Sequence, residues 1–172
     1  TNILHIGNLI GAISQWVPMQ KEYESFFCIV DLHAITVKHD PKVLHHNARK
    51  LAAMYIACGI DPKQSIIFPQ SRVSAHAELT WILNTLTSMS ELERMTQYKD
   101  KSKQHISNVN VGLFDYPVLM ASDILLYSPD FVPVGEDQTQ HVDLTRNLAT
   151  RFNKMYGNVF KVPKLQLKKS GA

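Results

Sequence analysis

Three places in the chain gather side chains that could hold a ligand. In LHIGN (residues 4–8) His5 stands two residues before Gly7, where a helical pattern opens. Backbone N–H groups, the positive end of a helix dipole and an imidazole at one corner are what a phosphate needs. In GEDQ (135–138) the short apolar run FVPV drops through Gly135 into Glu136, Asp137 and Gln138, and a helical pattern begins at once. Glu136 and Asp137 bring acceptors suited to a ribose, a metal or an ammonium group, and Gln138 can both donate and accept. The plainer meaning of this corner is a helix N-cap by Asp137.

The third place is a helix face. Tyr116, Met120, Asp123 and Tyr127 fall at i, i+4, i+7 and i+11, among Val, Leu, Ala and Ile. One carboxylate on an apolar helix must find a partner or bear a desolvation cost of several kcal/mol. An internal ion pair with Arg or His is one solution. The other is an aromatic ligand that aims an N–H or O–H at Asp123 and stacks beside Tyr116 and Met120. His33, just past a strand-like run, points toward the same edge of a sheet or is a loop histidine bonded to backbone. Lys99, Lys101 and Lys103 could reach phosphates or form a solvated helix end. His45 and His46 lack a Cys or carboxylate at ligand spacing, which argues against zinc.

Alternating strands and helices must position these groups. FFCIV (26–30) reads as a strand buried on both faces, SIIFP (65–69) as a second and FVPV (131–134) as a third. Asp40 and Pro41 open a helix that presents Leu44, Ala48, Leu51, Ala52 and Tyr55 and stops at Gly59. Serines open two more helical stretches, at Ser74 and Ser90. YPVLMASDILLY follows a loop, HISNVNVG, and QTQHVDLTRNLATRFNKMY turns Val142, Thr145, Leu148, Ala149, Phe152 and Met155 inward before Gly157. The pattern is that of an α/β protein with a doubly wound, Rossmann-like parallel sheet.

With 172 residues, 45% of them hydrophobic, one such domain is the expected size. No apolar run approaches the roughly 18 residues of a membrane span, and no basic leader precedes a cleavage site, so a cytoplasmic location and no membrane partner are expected. Cys28 and Cys58 lie in apolar settings without redox or metal spacing and are expected to be buried, reduced thiols. A net charge of +3 permits an RNA partner without arguing for one. A helix near Gly7 with no strand before it, and the ending VPKLQLKKSGA without a closing element, are expected of an excerpt from a longer protein.

Taken together, these residues resemble the catalytic domain of bacterial-type tryptophanyl-tRNA synthetases, a class I aminoacyl-tRNA synthetase family. LHIGN followed by LIGA looks like the family's version of the HIGH motif, with Asn8 in place of its second histidine. VDLHAIT, GIDP, ELERMTQYKDKS, YPVLMASDILLY and VPVGEDQTQHVDLTR look like family blocks in the family's order, across essentially the whole chain. The last two favour tryptophan over the sister tyrosyl enzymes. The family's first strand, its KMSKS loop and its helical anticodon-binding domain are not in this sequence, and Asn2 stands where a glycine is usual. Residues 1–172 are therefore expected to be a partial Rossmann-like catalytic domain binding nucleotide and tryptophan, and the excerpt alone is expected to be impaired in catalysis.

The resemblance implies ATP-dependent activation of L-tryptophan and transfer to tRNA(Trp) by a homodimeric enzyme. It assigns His5, Gly7, Asn8 and Lys101 to the ATP phosphates, His5, Asn8 and Lys101 being the catalytic set. Gly135, Glu136 and Asp137 are assigned to adenosine and ribose. Asp123 would accept the indole N–H, with Tyr116, Met120, Val132 and Val134 around the ring and His33 and Gln138 near the amino acid's polar end. Mg²⁺ would accompany ATP and pyrophosphate as part of the substrate complex, with no resident metal site and no permanent cofactor. A tyrosyl-type synthetase, another nucleotidyltransferase of the HxGH type and an inactive RNA-binding paralogue stay open as alternatives.

Overall fold

The computed structural model describes residues 13–96 and 109–167. The chain divides into two compact units, Thr1–Val73 and Ser74–Ala172. Each contains one strand–helix–strand crossover with its two strands parallel.

In the first unit α1 (Ser14–Met19) precedes β1 (Ser25–Ile29), a short α2 (Asp31–Ala34), α3 (Pro41–Ala57) and β2 (Ser65–Pro69). Ser25 to Ile29 pair in order with Ser65 to Pro69. A parallel pair needs a long crossover, and α3 supplies it. Its start is local chemistry: the Asp40 carboxylate accepts from the Lys42 N–H at 2.8 Å, and Pro41 fills the first helical position. Its end is equally local, because Gly59 takes φ +107°, a conformation L side chains rarely adopt. Between them Ala48 and Tyr55 are buried against Phe27, Ile29 and Ile60, and Trp16 stacks on this cluster 5.5 Å from Phe27. Burial, with Cys28 adding to it, pushes the Tyr55 phenol up from its ordinary value.

Two expectations for this unit need correction. The first strand begins one residue earlier than the apolar run and buries one face: Phe27 and Ile29 are inside, whereas Phe26 is 40% exposed. The period-2 alternation of a strand overrides the continuous apolar spelling. Cys28 and Cys58 are free thiols but only half-buried.

The second unit contains α4 (Ala75–Asn84), α5 (Met89–Glu93), α6 (Val111–Leu125), β3 (Phe131–Val134), a single 3₁₀ turn (Glu136–Gln138), α7 (Thr139–Tyr156) and β4 (Lys164–Leu167). The core lies where α4, α6 and α7 meet: Leu83, Val118, Ala121, Leu125, Leu148 and Ala149 are all but inaccessible. Truncating one of these leucines to alanine costs about 2 to 5 kcal/mol.

Four readings change here. Ser74 does not cap α4; its own backbone is helical and its hydroxyl donates to Glu78 at 3.0 Å. The serine that opens α5 is Ser88 rather than Ser90. Both have a glutamate three residues on, but Ser88 has the extended backbone of a cap and forms a capping box with Glu91. Helix α6 starts inside the expected loop, at Val111, because Asn110 accepts from the Leu113 N–H at 3.0 Å. Met155 is 57% exposed, since the last turn of α7 extends past the core, although Phe152 packs on Phe160 with ring centres 4.8 Å apart.

The ending VPKLQLKKSGA also carries an element that its sequence did not announce. Lys164–Leu167 forms β4, parallel to β3 from Phe131↔Lys164 to Val134↔Leu167. Helix α7 is the crossover between them, stopped at Gly157 with φ +95°. Among the described residues no helix is long and apolar enough to cross a membrane.

Candidate active site in the second unit

Helix α4 carries His76, Thr80 and Asn84 at i, i+4 and i+8, one polar edge of a helix whose other residues, Glu78 apart, are apolar. Each meets α6. His76 Nδ1 lies 2.7 Å from Asp123 Oδ1, Thr80 donates to the Ser122 hydroxyl at 3.0 Å, and Asn84 donates to Asp115 at 2.9 Å. As the α4 numbers rise the α6 numbers fall, so the helices run antiparallel and the polar edge fixes their register. The carboxylate that the sequence left without a visible partner is thus held by a histidine. His76 is fully buried, and the Asp123 side chain is 13% exposed. The other ring nitrogen, Nε2, lies 2.8 Å from the Tyr127 hydroxyl.

About two helical turns from Asp123 along α6, Tyr116 is buried and its hydroxyl meets His141 Nε2 of α7 at 3.0 Å. Desolvation pushes the Tyr116 phenol up to about 12, so it is a neutral hydroxyl at any working pH. Met120 lies between these two pairs on the same face, half-buried. Of the expected face, Tyr116, Met120 and Asp123 lie on α6, whereas Tyr127 falls in the turn just past its end. What the sequence missed are the histidines that organise it, His76 and His141. The spacing His76, Thr80, Asn84 on a mostly apolar helix was the available signal.

The second corner follows β3, where Val134 is buried and Val132 half-buried. Gly135 leads into the 3₁₀ turn, closed by the Gln138 N–H donating to the Gly135 carbonyl at 3.0 Å. The first residue of α7 follows Gln138, which is the cap residue of that helix and makes no cap bond with its side chain. The cap position of α7 thus falls to Gln138 rather than to Asp137. Its carboxylate instead accepts from the Gln138 side-chain amide at 2.5 Å and folds back over Gly135. A Cβ on Gly135 would lie 2.6 Å from Asp137 Oδ1. A side chain at Gly135 would thus displace the Asp137 carboxylate, and with glycine there an exposed carboxylate and an amide sit together at the carboxyl end of a strand.

In the first unit His33 lies in α2, immediately after β1. The buried Gln70 side chain, just past β2, accepts from the Leu32 N–H at 3.1 Å and the His33 N–H at 3.4 Å. Asp31 accepts from the Ser71 N–H at 2.9 Å and its hydroxyl at 2.5 Å. These contacts tie the carboxyl ends of β1 and β2 together around His33. His5, Gly7, Asn8 and Lys101, with Lys99 and Lys103, lie outside the described residues. Among the described residues no group of three His, Cys, Asp or Glu side chains could hold a metal ion.

Parallel crossovers with polar corners at the carboxyl ends of their strands define a Rossmann-like nucleotide-binding class, here that of the class I synthetases. The chain belongs to the family tRNA synthetases class I (W and Y), whose model matches residues 1–169. It is 56% identical to the tryptophan–tRNA ligase of Helicobacter pylori and 54% identical to that of Gloeobacter violaceus, in each case over all of this chain. It spans about half the length of these curated relatives, 53% and 51%. Among solved structures it is similar to the Campylobacter jejuni tryptophanyl-tRNA synthetase complexed with ADP and tryptophan. That match has a TM-score of 0.95 at 42% identity and covers all of this chain and 54% of the other. The Mycoplasma pneumoniae synthetase matches with a TM-score of 0.89 at 38% identity over 94% of this chain and 49% of the other.

Proposed function

We propose that the protein containing this chain is an ATP-dependent ligase that charges tRNA(Trp) with L-tryptophan. The observation that carries the reading is the likeness, along the whole chain, to a synthetase solved with ADP and tryptophan. In the first step an oxygen of the amino acid's carboxylate attacks the α-phosphorus of ATP. The bond from that phosphorus to the pyrophosphate oxygen breaks, and tryptophanyl-adenylate forms. The attacking group is already ionised at neutral pH, so the step needs positioning and charge stabilisation more than a general base. In the second step a hydroxyl at the 3′ end of the tRNA displaces AMP from the acyl carbon.

His5, Gly7, Asn8 and Lys101 take the phosphates in this reading, with Mg²⁺ arriving and leaving in the substrate complex. Gly135, Glu136 and Asp137 take the adenosine and ribose side. The Asp123 carboxylate accepts the indole N–H, with Tyr116, Met120, Val132 and Val134 around the ring. Gln138 serves the polar end of the amino acid. An apolar slot separates similar side chains by only about 1 to 3 kcal/mol, whereas a buried acceptor left unpaired by phenylalanine raises discrimination toward about 10⁴ to 10⁵. Asp123 is the group able to supply that difference. A homodimer working in the cytoplasm completes the reading.

The test is amino-acid-dependent ATP–pyrophosphate exchange by the full-length protein with tryptophan, tyrosine and phenylalanine. Exchange with tryptophan alone is expected. Exchange with tyrosine would move the assignment to the sister enzyme, and none at all would refute a synthetase.

A further inference from the structure

We propose that His76 is a positioning residue for tryptophan selection, acting through Asp123; this rests on the reading of the site given above. The ligand class is an amino acid whose aromatic ring carries an N–H donor. His76 belongs to α4, outside the face read as the ring pocket, and is completely buried. It holds one residue of α6 and one in the turn just past that helix, Asp123 through Nδ1 at 2.7 Å and Tyr127 through Nε2 at 2.8 Å. A carboxylate only accepts, so Nδ1 carries the hydrogen of the first contact; in the neutral ring Nε2 then accepts from the Tyr127 O–H.

With both nitrogens engaged, rotation of the imidazole breaks two contacts at once. The Thr80–Ser122 and Asn84–Asp115 bonds prevent α4 from sliding along α6 to relieve them. Asp123 Oδ1 is therefore held in place before any ligand arrives. This matters for selection more than for affinity. A carboxylate free to swing would turn from a ring that lacks an N–H toward other donors, whereas a held one keeps the same aim for either ring. The same logic, in which an outer partner orients the group that touches the ligand, governs metal-binding histidines.

The experiment uses the full-length protein and measures exchange with tryptophan and with its benzothiophene analogue, in which sulfur replaces the ring N–H. His76→Leu is expected to lower the tryptophan-to-analogue ratio of kcat/KM by about tenfold or more while the KM for ATP stays within about twofold. His76→Asn, whose amide can donate from near the Nδ1 position, is expected to recover most of that ratio. Tyr127→Phe, which keeps the ring and frees Nε2, is expected to lower it severalfold and serves if His76→Leu does not fold. An unchanged ratio in His76→Leu and Tyr127→Phe, with both substrates losing activity equally, would overturn the proposal and leave His76 as helix-packing material. Wild-type protein that exchanges without preference for tryptophan would instead overturn the reading of the site itself.

Discussion

Arg151 of α7 closes on Glu91 of α5 as a two-pronged ion pair, Nη2 to Oε1 at 2.8 Å and Nη1 to Oε2 at 3.0 Å, and Nη1 also donates to the Leu86 carbonyl. The same glutamate closes the capping box with Ser88. Four donors on one carboxylate, two from Arg151 contributing most and two from Ser88, hold Glu91 down at about 2 from its ordinary 4.5, against the opposing effect of burial. Because the folded value lies below the unfolded one, the stabilisation is present above about pH 4.5 and disappears as pH falls toward 2. Glu91→Gln is expected to cost about 1 to 2 kcal/mol at pH 7, solvent screening included. The cost should shrink toward zero near pH 2. Urea unfolding at pH 7, 4 and 2.5 checks this, and a pH-independent difference would show that the ion pair is not the cause.

Gln20 is a buried glutamine with four contacts in the first unit. Its amide donates to the Gly59 carbonyl at 2.7 Å and the Val17 carbonyl at 3.0 Å; its oxygen accepts from the Asp61 N–H at 2.7 Å and the Ser65 hydroxyl at 3.2 Å. The end of α1, the turn after α3 and the start of β2 are joined by this one side chain. Gln20→Leu keeps the volume and strands backbone groups on both sides, and is expected to destabilise the unit by about 1 to 3 kcal/mol. Hydrogen exchange gives the sharper readout. The Asp61 amide should lose protection in the variant beyond the general loss in the unit, and equal loss everywhere would contradict the assigned role.

What the sequence made legible was local. Asp40 and Pro41 open a helix and Gly59 ends it because capping and left-handed backbone act within a few residues, and FVPV–GEDQ read as a strand and a corner for the same reason. What it hid was relational. The partner of Asp123 lies 47 residues upstream, and no spacing along α6 could name it. Ser88 and Ser90 each begin a Ser-x-x-Glu pattern, and the choice between them coincides with Arg151, 60 residues beyond Glu91, holding that glutamate. Strand β4 was invisible because four residues after a proline carry too little periodicity; their definition comes from β3, already in place beside them.

Gly135→Ala puts the nucleotide assignment of the GEDQ corner to a direct test. The new Cβ meets Asp137 Oδ1 at 2.6 Å, so the carboxylate must swing away and release the Gln138 amide. Asp137 is exposed, and the unfolding free energy should change by no more than about 1 kcal/mol. If this carboxylate serves the ribose, the full-length variant should show a KM for ATP raised about tenfold in pyrophosphate exchange, with the KM for tryptophan little changed. Equal rises in both would assign the corner to the amino acid instead. Because Gly135→Ala acts by displacing the group that Asp137→Ala removes, the two effects should not add. A double variant no worse than Asp137→Ala would show that the glycine serves the carboxylate, and an additive loss would show that the glycine backbone meets the nucleotide on its own account.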